Sequence, residues 1–468
     1  MEKIKKNSMT EKLTVILQSY EELIKEITIE NGYQNSRLMI VEILETENFF
    51  KINLDDTTFS ETEKSAYEHK LKMLGSKLTP EELEEIKPEL IRILQVSPPF
   101  TYKGGKMKAV QTEETAMLSE SAESAEESII IKGEKFYTVK LFFGTDRNTT
   151  NSQNINEKFN GERSTTGITY GVCSVSVPLD HEAGEIERPK FWKLQFKEDP
   201  AKHISILDLI IKDKDDFKSL IEYYRNILSN NDVLVFVHGY NVSFADSARR
   251  AAQITFDLEF TGYSFFYSWP SDGNLKGYLG DRDDSEWSID NLKEFLVNII
   301  NWTGVNNGGN LHIIAHSMGT NTASKAIIET EIEFKGKVFF HNIILAAADI
   351  DKDIFIDRIV PKFLSAKLQR RVTLYASAKD KALLVSKDIR FNKISRAGEG
   401  GRSLILMDGI DSVDASNVDT DFMGHGYFAG NTTLLKDIKK IIKEDLAPSL
   451  RGLSQKERNK KTYWEINE

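Results

Sequence analysis

Ser317 stands in the pentapeptide Ala315-His316-Ser317-Met318-Gly319. The apolar run LHII precedes it and the helical pattern TNTASKAII follows, so it occupies a strand-to-helix turn. That is the setting of a G-x-S-x-G nucleophile turn, with Ala in the first position. The flanking residues must be small because the turn is sharp, and Ala315 adds only one methyl group. Such a turn lifts a serine hydroxyl above a sheet edge and aims the amides of the helix start at the same point. The chemistry this suggests is nucleophilic catalysis, and a serine hydroxyl needs a base for it at neutral pH.

With this turn the chain order is serine, acid, histidine. Of the eight histidines, only His341 and His425 lie beyond Ser317. His341 sits inside the apolar run VFFHNIIL and reads as a core or sheet-end residue. His425 lies between Gly424 and Gly426, in a loop before the last helix, where glycines free the backbone to deliver an imidazole. His425 is therefore the expected general base. Asp380 is the expected acid, in the loop AKDKAL after the strand RRVTLYAS. Asp349, in LAAADIDKD, is the alternative acid, although Asp349, Asp351 and Asp353 equally suit N-cap and loop duty.

An oxyanion hole needs two amide donors. Met318, after the nucleophile, supplies one, and Tyr240 in His238-Gly239-Tyr240-Asn241 supplies the other at the end of the strand VLVFV. Candidates for the pocket wall are His238, Gly239, His316, Trp269, Tyr278 and Leu279. His238 and His316 are expected to orient loops and not to act as bases. Two Gly-containing segments, 271–287 and 391–401, are candidate mobile covers for the site. Asp146-Arg147 reads as a structural ion pair, and Cys173 as a buried strand residue. No metal ligands cluster, and no cofactor is expected.

These groups need a sheet to hold them. From VLVFVHG onward, apolar strands alternate with amphipathic helices (SFADSARRAAQITFDLEF, SIDNLKEFLVNIINW, TTLLKDIKKIIKEDL), with YSFFYSW, LHIIAH, KVFFHNIILAAA, RRVTLYAS and RSLILM as strands. That pattern predicts an α/β fold: a mostly parallel sheet with helices on both faces. KFYTVKLFFGTDRN, GITYGVCSVSVP and KFWKLQF add a strand-rich extension before it. Residues 1–102 read as a small all-α domain, with capping signals at Ser60 and Thr79 and an apolar run RLMIVEIL. Residues 103–131, rich in Ser, Glu and Ala, read as a flexible acidic linker. Residues 132–448 then form the catalytic domain and 449–468 a charged tail.

The 468 residues carry 61 Lys+Arg against 72 Asp+Glu, a net charge of −11, which runs against a nucleic-acid binder. One cysteine cannot make an intrachain disulfide, and no apolar run approaches a membrane span of about 18 residues, so a cytoplasmic location is expected. Peripheral membrane contact stays open, as does a protein partner or self-association through residues 1–102.

The segments FFGTDRNTT, GERSTTGITYGVCSVSVP, VLVFVHGYNVSF, YSWPSDG, LHIIAHSMG, LAAADIDKD, VTLYASAKDKAL and GHGYF together resemble a bacterial branch of the α/β-hydrolase superfamily. The resemblance spans roughly residues 136–446 and leaves the first hundred residues unmatched. It implies an α/β-hydrolase fold, a triad of Ser317, Asp380 and His425, and oxyanion donors Tyr240 and Met318; it implies no substrate. The expected activity is hydrolysis of carboxylic esters, such as a medium acyl ester or a lysophospholipid, through an acyl-enzyme. An amidase or peptidase with the same triad is the alternative, and so is a partner-regulated effector whose helical domain controls the hydrolase.

Overall fold

The runs VLVFV and YSFFYS are buried at every residue, so both of their faces must be covered. Only the interior of a sheet flanked by helices satisfies that. The computed structural model describes residues 38–44, 49–54, 128–189, 198–272, 278–335, 337, 340–364, 370–380, 395–418 and 430–466. The chain divides into two compact units, Met1–Leu118 with Pro189–Lys197, and Ser119–Arg188 with Glu198–Glu468.

In the first unit the described elements are two strands, β1 (Leu38–Leu44) and β2 (Phe49–Leu54), paired antiparallel with an irregularity between Met39 and Val41. This corrects the expectation of helix for RLMIVEIL. LMIVEIL and FFKINL are dense in β-branched and aromatic residues, and two such short apolar runs favour ladder pairing over helix. The helix starts expected at Ser60 and Thr79, and most of the acidic linker, lie outside the described residues.

The second unit is built on a twelve-stranded sheet. Its strands are β3 (Ile130–Lys132), β4 (Phe136–Thr145), β7 (Thr169–Pro178), β8 (Ile206–Lys212), β9 (Val233–Val237), β10 (Tyr263–Ser268), β11 (Leu311–His316), β12 (Phe340–Ala346), β13 (Arg371–Ala376), β14 (Asp411–Asp414), β15 (Ser454–Arg458) and β16 (Lys461–Glu465). A separate pair, β5 (Arg147–Thr149) and β6 (Phe159–Arg163), lies beside it. The order is β15-β16-β14-β13-β12-β11-β9-β10-β4-β7-β8, with β3 on β4. From β4 through β10, β9, β11, β12, β13 and β14 to β16 all neighbours are parallel. The extension β4-β7-β8 is antiparallel.

Its helices are α1 (Lys214–Tyr224), α2 (Phe244–Asp257), α3 (Tyr278–Trp287), α4 (Ile289–Thr303), α5 (Gly319–Glu333) and α6 (Thr432–Glu444). Consecutive strand residues point to opposite faces. Phe142 meets Phe217 and Tyr224 of α1, whereas Phe143 meets Phe244 of α2, so these two helices cover opposite faces. Phe265 likewise packs on Phe295 of α4, and its neighbour Phe266 on Phe244. The expected two-faced α/β layering is present.

Two further expectations change. RSLILM is not a strand: Gly401–Ser403 is one 3-10 turn, and the carbonyls of Gly401 and Leu404 accept from the Arg458 guanidinium at 2.7 and 2.9 Å. DSVD becomes β14 instead. The 449–468 segment is not a tail. Residues 454–465 fold as the β15–β16 hairpin, β16 pairs with β14, and Ile466 is fully buried. Its charges sit on one edge hairpin that reads as solvated in sequence because apolar residues are few. Among the described residues no helix is long and apolar enough to cross a membrane.

Away from the sheet, His181 joins the loop after β7 to α2, with Nδ1 2.7 Å from Glu187 and Nε2 3.0 Å from Asp257. The same loop touches the start of α6, where Thr432 Oγ1 donates to the Ala183 carbonyl at 3.1 Å. Burial would lower the His181 pKa, but the hydrogen bonds to Asp257 and Glu187 outweigh it and raise it from 6.5 to about 9. A value raised on folding stabilises fully below pH 6.5, and that contribution is lost as pH rises through 9. His181→Gln is therefore expected to cost about 2–3 kcal/mol at pH 6 and little at pH 10, read by denaturant unfolding across pH. Ile466→Ala is expected to cost about 2–4 kcal/mol in the same assay, whereas a disordered tail residue would cost nothing.

Candidate active site

The parallel strands all end on one line. Val237 of β9 lies beside Ala315 of β11, which lies beside Leu345 of β12, and Ala346 lies beside Tyr375 of β13. The loops leaving these C-terminal ends carry Gly239 and Tyr240, Ser317, Asp349 and Asp380. His341, at the opposite end of β12, is instead 3.4 Å from Asp445 and far along the strand from this edge.

Ser317 has φ +51°, in the left-handed region, which costs a non-glycine residue about 1–2 kcal/mol. Local bonds hold it there. Its amide donates to the Ala346 carbonyl at 2.9 Å, and its carbonyl accepts from the Thr320 amide at 3.1 Å and hydroxyl at 2.6 Å. The small neighbours are dictated by contact. A Cβ on Gly319 would lie 2.1 Å from the His238 carbonyl oxygen, and Ala315 is fully buried in the sheet. Ser317 is itself 1% exposed, and its hydroxyl has no hydrogen-bond partner among the described residues. A buried hydroxyl without a partner among the described residues, on a left-handed turn, is unusual enough to mark a candidate functional group.

A Cβ on Gly239 would come 2.7 Å from the Ser317 Cβ and 3.1 Å from His316 Nδ1. The loop after β9 thus packs directly on the turn at Ser317. His238 Nδ1 lies 2.6 Å from the Gly239 carbonyl oxygen and therefore carries the proton. Burial, and then the Arg147 cation 3.4 Å from Nε2, hold the His238 pKa well below its ordinary value, so the ring is neutral. It stacks on Trp269 at 4.9 Å, and the indole donates to the His238 carbonyl at 2.8 Å. Trp269 is fully buried, which corrects its placement in the pocket wall: it forms the floor under His238.

Tyr240 packs edge-on to Tyr278 at 5.5 Å. Burial first, then the carboxylates of Asp349, Asp380 and Asp281, raise the Tyr240 phenol above its ordinary value. Both candidate acids are therefore close to this loop. Asp349 accepts from Tyr278 Oη at 2.5 Å, and its other oxygen lies 3.3 Å from Arg396 Nε, with both side chains buried. Its amide donates to the Ser317 carbonyl at 3.3 Å. Asp380 is 2% exposed, four residues beyond the end of β13. His425 lies outside the described residues.

The described parts of the two segments expected to cover the site are helix and hydrogen-bonded backbone. Residues 278–287 are α3, not loop, and Tyr278 is buried while Leu279 is 49% exposed on its outer side. Residues 395–398 pair with the loop after β12: the Lys352 amide donates to Ser395, Ala397 to Ile350 and Gly398 to Ala348, at 2.8–2.9 Å. A cleft of about 310 Å³ lies beside Met318, lined also by Asn321, Lys325, Asp349, Ile350 and Ile354. Lys325 is held by Glu286 at 2.6 and 2.7 Å.

Sequence reasoning missed Arg147, Asp281 and Arg396 as builders of the site. Arg147 does not serve an ion pair with Asp146; its guanidinium grips the carbonyls of Val242 and Ser271 at 2.6 and 2.9 Å, while Asp146 accepts from Asn291 at 3.1 Å. No spacing rule links these residues, since their partners are backbone atoms 95 and 124 positions away.

Residues 215–444 match a protein family described as "Alpha/beta hydrolase of unknown function (DUF900)". No curated protein matches the chain. The match starts after β8, so the antiparallel extension lies outside it. Gly239→Ala is expected to displace the Ser317 turn and to lower any Ser317-dependent turnover by about 10²-fold or more, since about 1 Å of misplacement costs that much; turnover equal to wild type would show that the loop yields freely.

Proposed function

From the premise that an α/β-hydrolase domain carries this site, we propose that the chain is a serine hydrolase of small carboxylic esters. The observation that carries the reading is Ser317: left-handed, buried, with its hydroxyl unpartnered among the described residues, at the C-terminal edge of β11. Ser317 Oγ attacks the ester carbonyl carbon while His425 takes its proton. The tetrahedral oxyanion is held by the Met318 and Tyr240 amides. As the C–O bond to the alcohol breaks, His425 returns the proton to the departing oxygen. Water, deprotonated by His425, then attacks the acyl-enzyme and frees Ser317 and the acid. Asp380 orients His425 and stabilises its imidazolium.

Asp380 is the acid of this reading because it is buried in the loop that leaves the C-terminal end of β13. The cleft beside Met318 sits at the lower end of the roughly 300–1,000 Å³ typical of ligand sites, and charged side chains share its lining. That favours a short acyl group on a polar alcohol over a long-chain lipid. An amide substrate uses the same groups.

A fluorophosphonate probe is expected to label Ser317, with labelling abolished in Ser317→Ala and strongly reduced in His425→Ala. Labelling that persists in Ser317→Ala overturns the site. Matched esters and amides should then show faster ester turnover; preference for the amide would select the peptidase reading. Asp380→Asn is expected to lower kcat by about 10³–10⁴-fold. Asp349→Asn should instead destabilise the fold by about 3 kcal/mol, because it leaves the Arg396 guanidinium buried beside a neutral group.

A further inference from the structure

Two loops leave the sheet side by side, residues 238–242 after β9 and 269–272 after β10. Their amides converge on one carboxylate. Asp281 of α3, fully buried, accepts from the Asn241 amide at 2.9 Å and from Ser271 Oγ at 2.5 Å on one oxygen, and from the Asp272 amide at 2.9 Å on the other. Their carbonyls converge on one guanidinium, through the bonds of Arg147 to Val242 and Ser271. Arg147 Nε also donates to Ser268 Oγ at 2.8 Å, and the whole side chain is 1% exposed. Asn241 is left-handed at φ +56° and is held there from both sides, its own amide by Asp281 and the next carbonyl by Arg147.

We propose that Asp281 is a positioning residue for hydrolysis, clamping the loop after β9 against the loop after β10 so that the Tyr240 amide faces the oxyanion. This rests on the reading of Ser317 as nucleophile and Tyr240 as oxyanion donor. The peptide unit between Gly239 and Tyr240 is planar and trans, so its carbonyl and amide point in opposite directions. His238 fixes the carbonyl end at 2.6 Å. The next peptide unit is fixed by Asp281 through the Asn241 amide. With both flanking anchors in place, the Tyr240 N–H has one direction. Loss of the Asp281 anchor frees the left-handed Asn241 to relax, and the donor swings with it. Burying a carboxylate is costly unless it is hydrogen-bonded, and this one spends three bonds on a loop edge instead of on an ion pair.

The test is Asp281→Asn in the full chain, with active sites counted by fluorophosphonate labelling and turnover of a short acyl ester expressed per labelled site. An amide nitrogen placed against the Asn241 or Asp272 N–H removes one acceptor. The expected result is a 10–100-fold fall in kcat per labelled site with KM within about threefold, because a displaced oxyanion donor acts on the transition state. Ser271→Ala, which removes one of the three bonds to Asp281 and, with it, the Ser271 Oγ that links Asp281 to the Val242 amide at 3.1 Å, is expected to lower kcat two- to fivefold and serves if Asp281→Asn fails to fold. A wild-type kcat per labelled site in the folded variant, with only the labelled fraction or the melting midpoint reduced, makes Asp281 merely structural and overturns the proposal while the hydrolase reading stands. A wild-type chain that takes up no probe overturns the reading and this proposal together.

Discussion

Everything at the sheet edge depends on the packing of the β9 loop onto the turn at Ser317. Gly239 leaves no room for a Cβ beside the serine Cβ, and Gly319 leaves none beside the His238 carbonyl. The two loops therefore interlock through missing side chains. That contact backs a left-handed serine whose strain no exposed turn would need, and it sets the distance between Ser317 and the amide two residues along from His238. The parallel register of β9 and β11 makes the contact possible, since their last paired residues, Val237 and Ala315, are level.

Around this contact the protein uses buried charge as scaffolding. Arg147 and Asp281 take the carbonyls and amides of two loops that have no sheet partners, and Arg396 and Asp349 tie the loop after β12 to the segment around 396. Buried ions are expensive, and apolar residues of like volume would often stabilise as well. Apolar contacts, however, do not fix the direction of an N–H or C=O group, and an oxyanion site depends on direction. Neutral His238 fits the same pattern: buried and beside a cation, it is hydrogen-bonded to the Gly239 carbonyl and stacked on Trp269.

Much of the sheet was legible because strands buried on both faces leave continuous apolar runs, as in VLVFV and LHIIAH. The elbow was legible because steric exclusion is local: small residues must flank a sharp turn whatever surrounds it. Legibility failed where pairing is non-local. LMIVEIL is an apolar run in a region that reads as helical but pairs as a strand with FFKINL, and KKTYWE looks like a solvated tail but finds β14 about fifty residues earlier in the chain. Segment 278–287 reads as a polar loop because its buried residues, Tyr278, Asp281 and Ser285, are polar and answer to partners elsewhere.

The amino-acid order alone thus determined the α/β layering, the serine turn and the positions of the acid and amide candidates after particular strands, because periodicity and steric size act within a few residues. Tertiary structure decided which side chains surround them. That Trp269 is floor and not wall, that Asp349 is bound to Tyr278 and Arg396, and that Asp281 and Arg147 hold opposite poles of the same loops all depend on atoms from distant strands meeting at one edge. Hydrogen-bond direction is a property of that meeting, and no spacing along the chain encodes it.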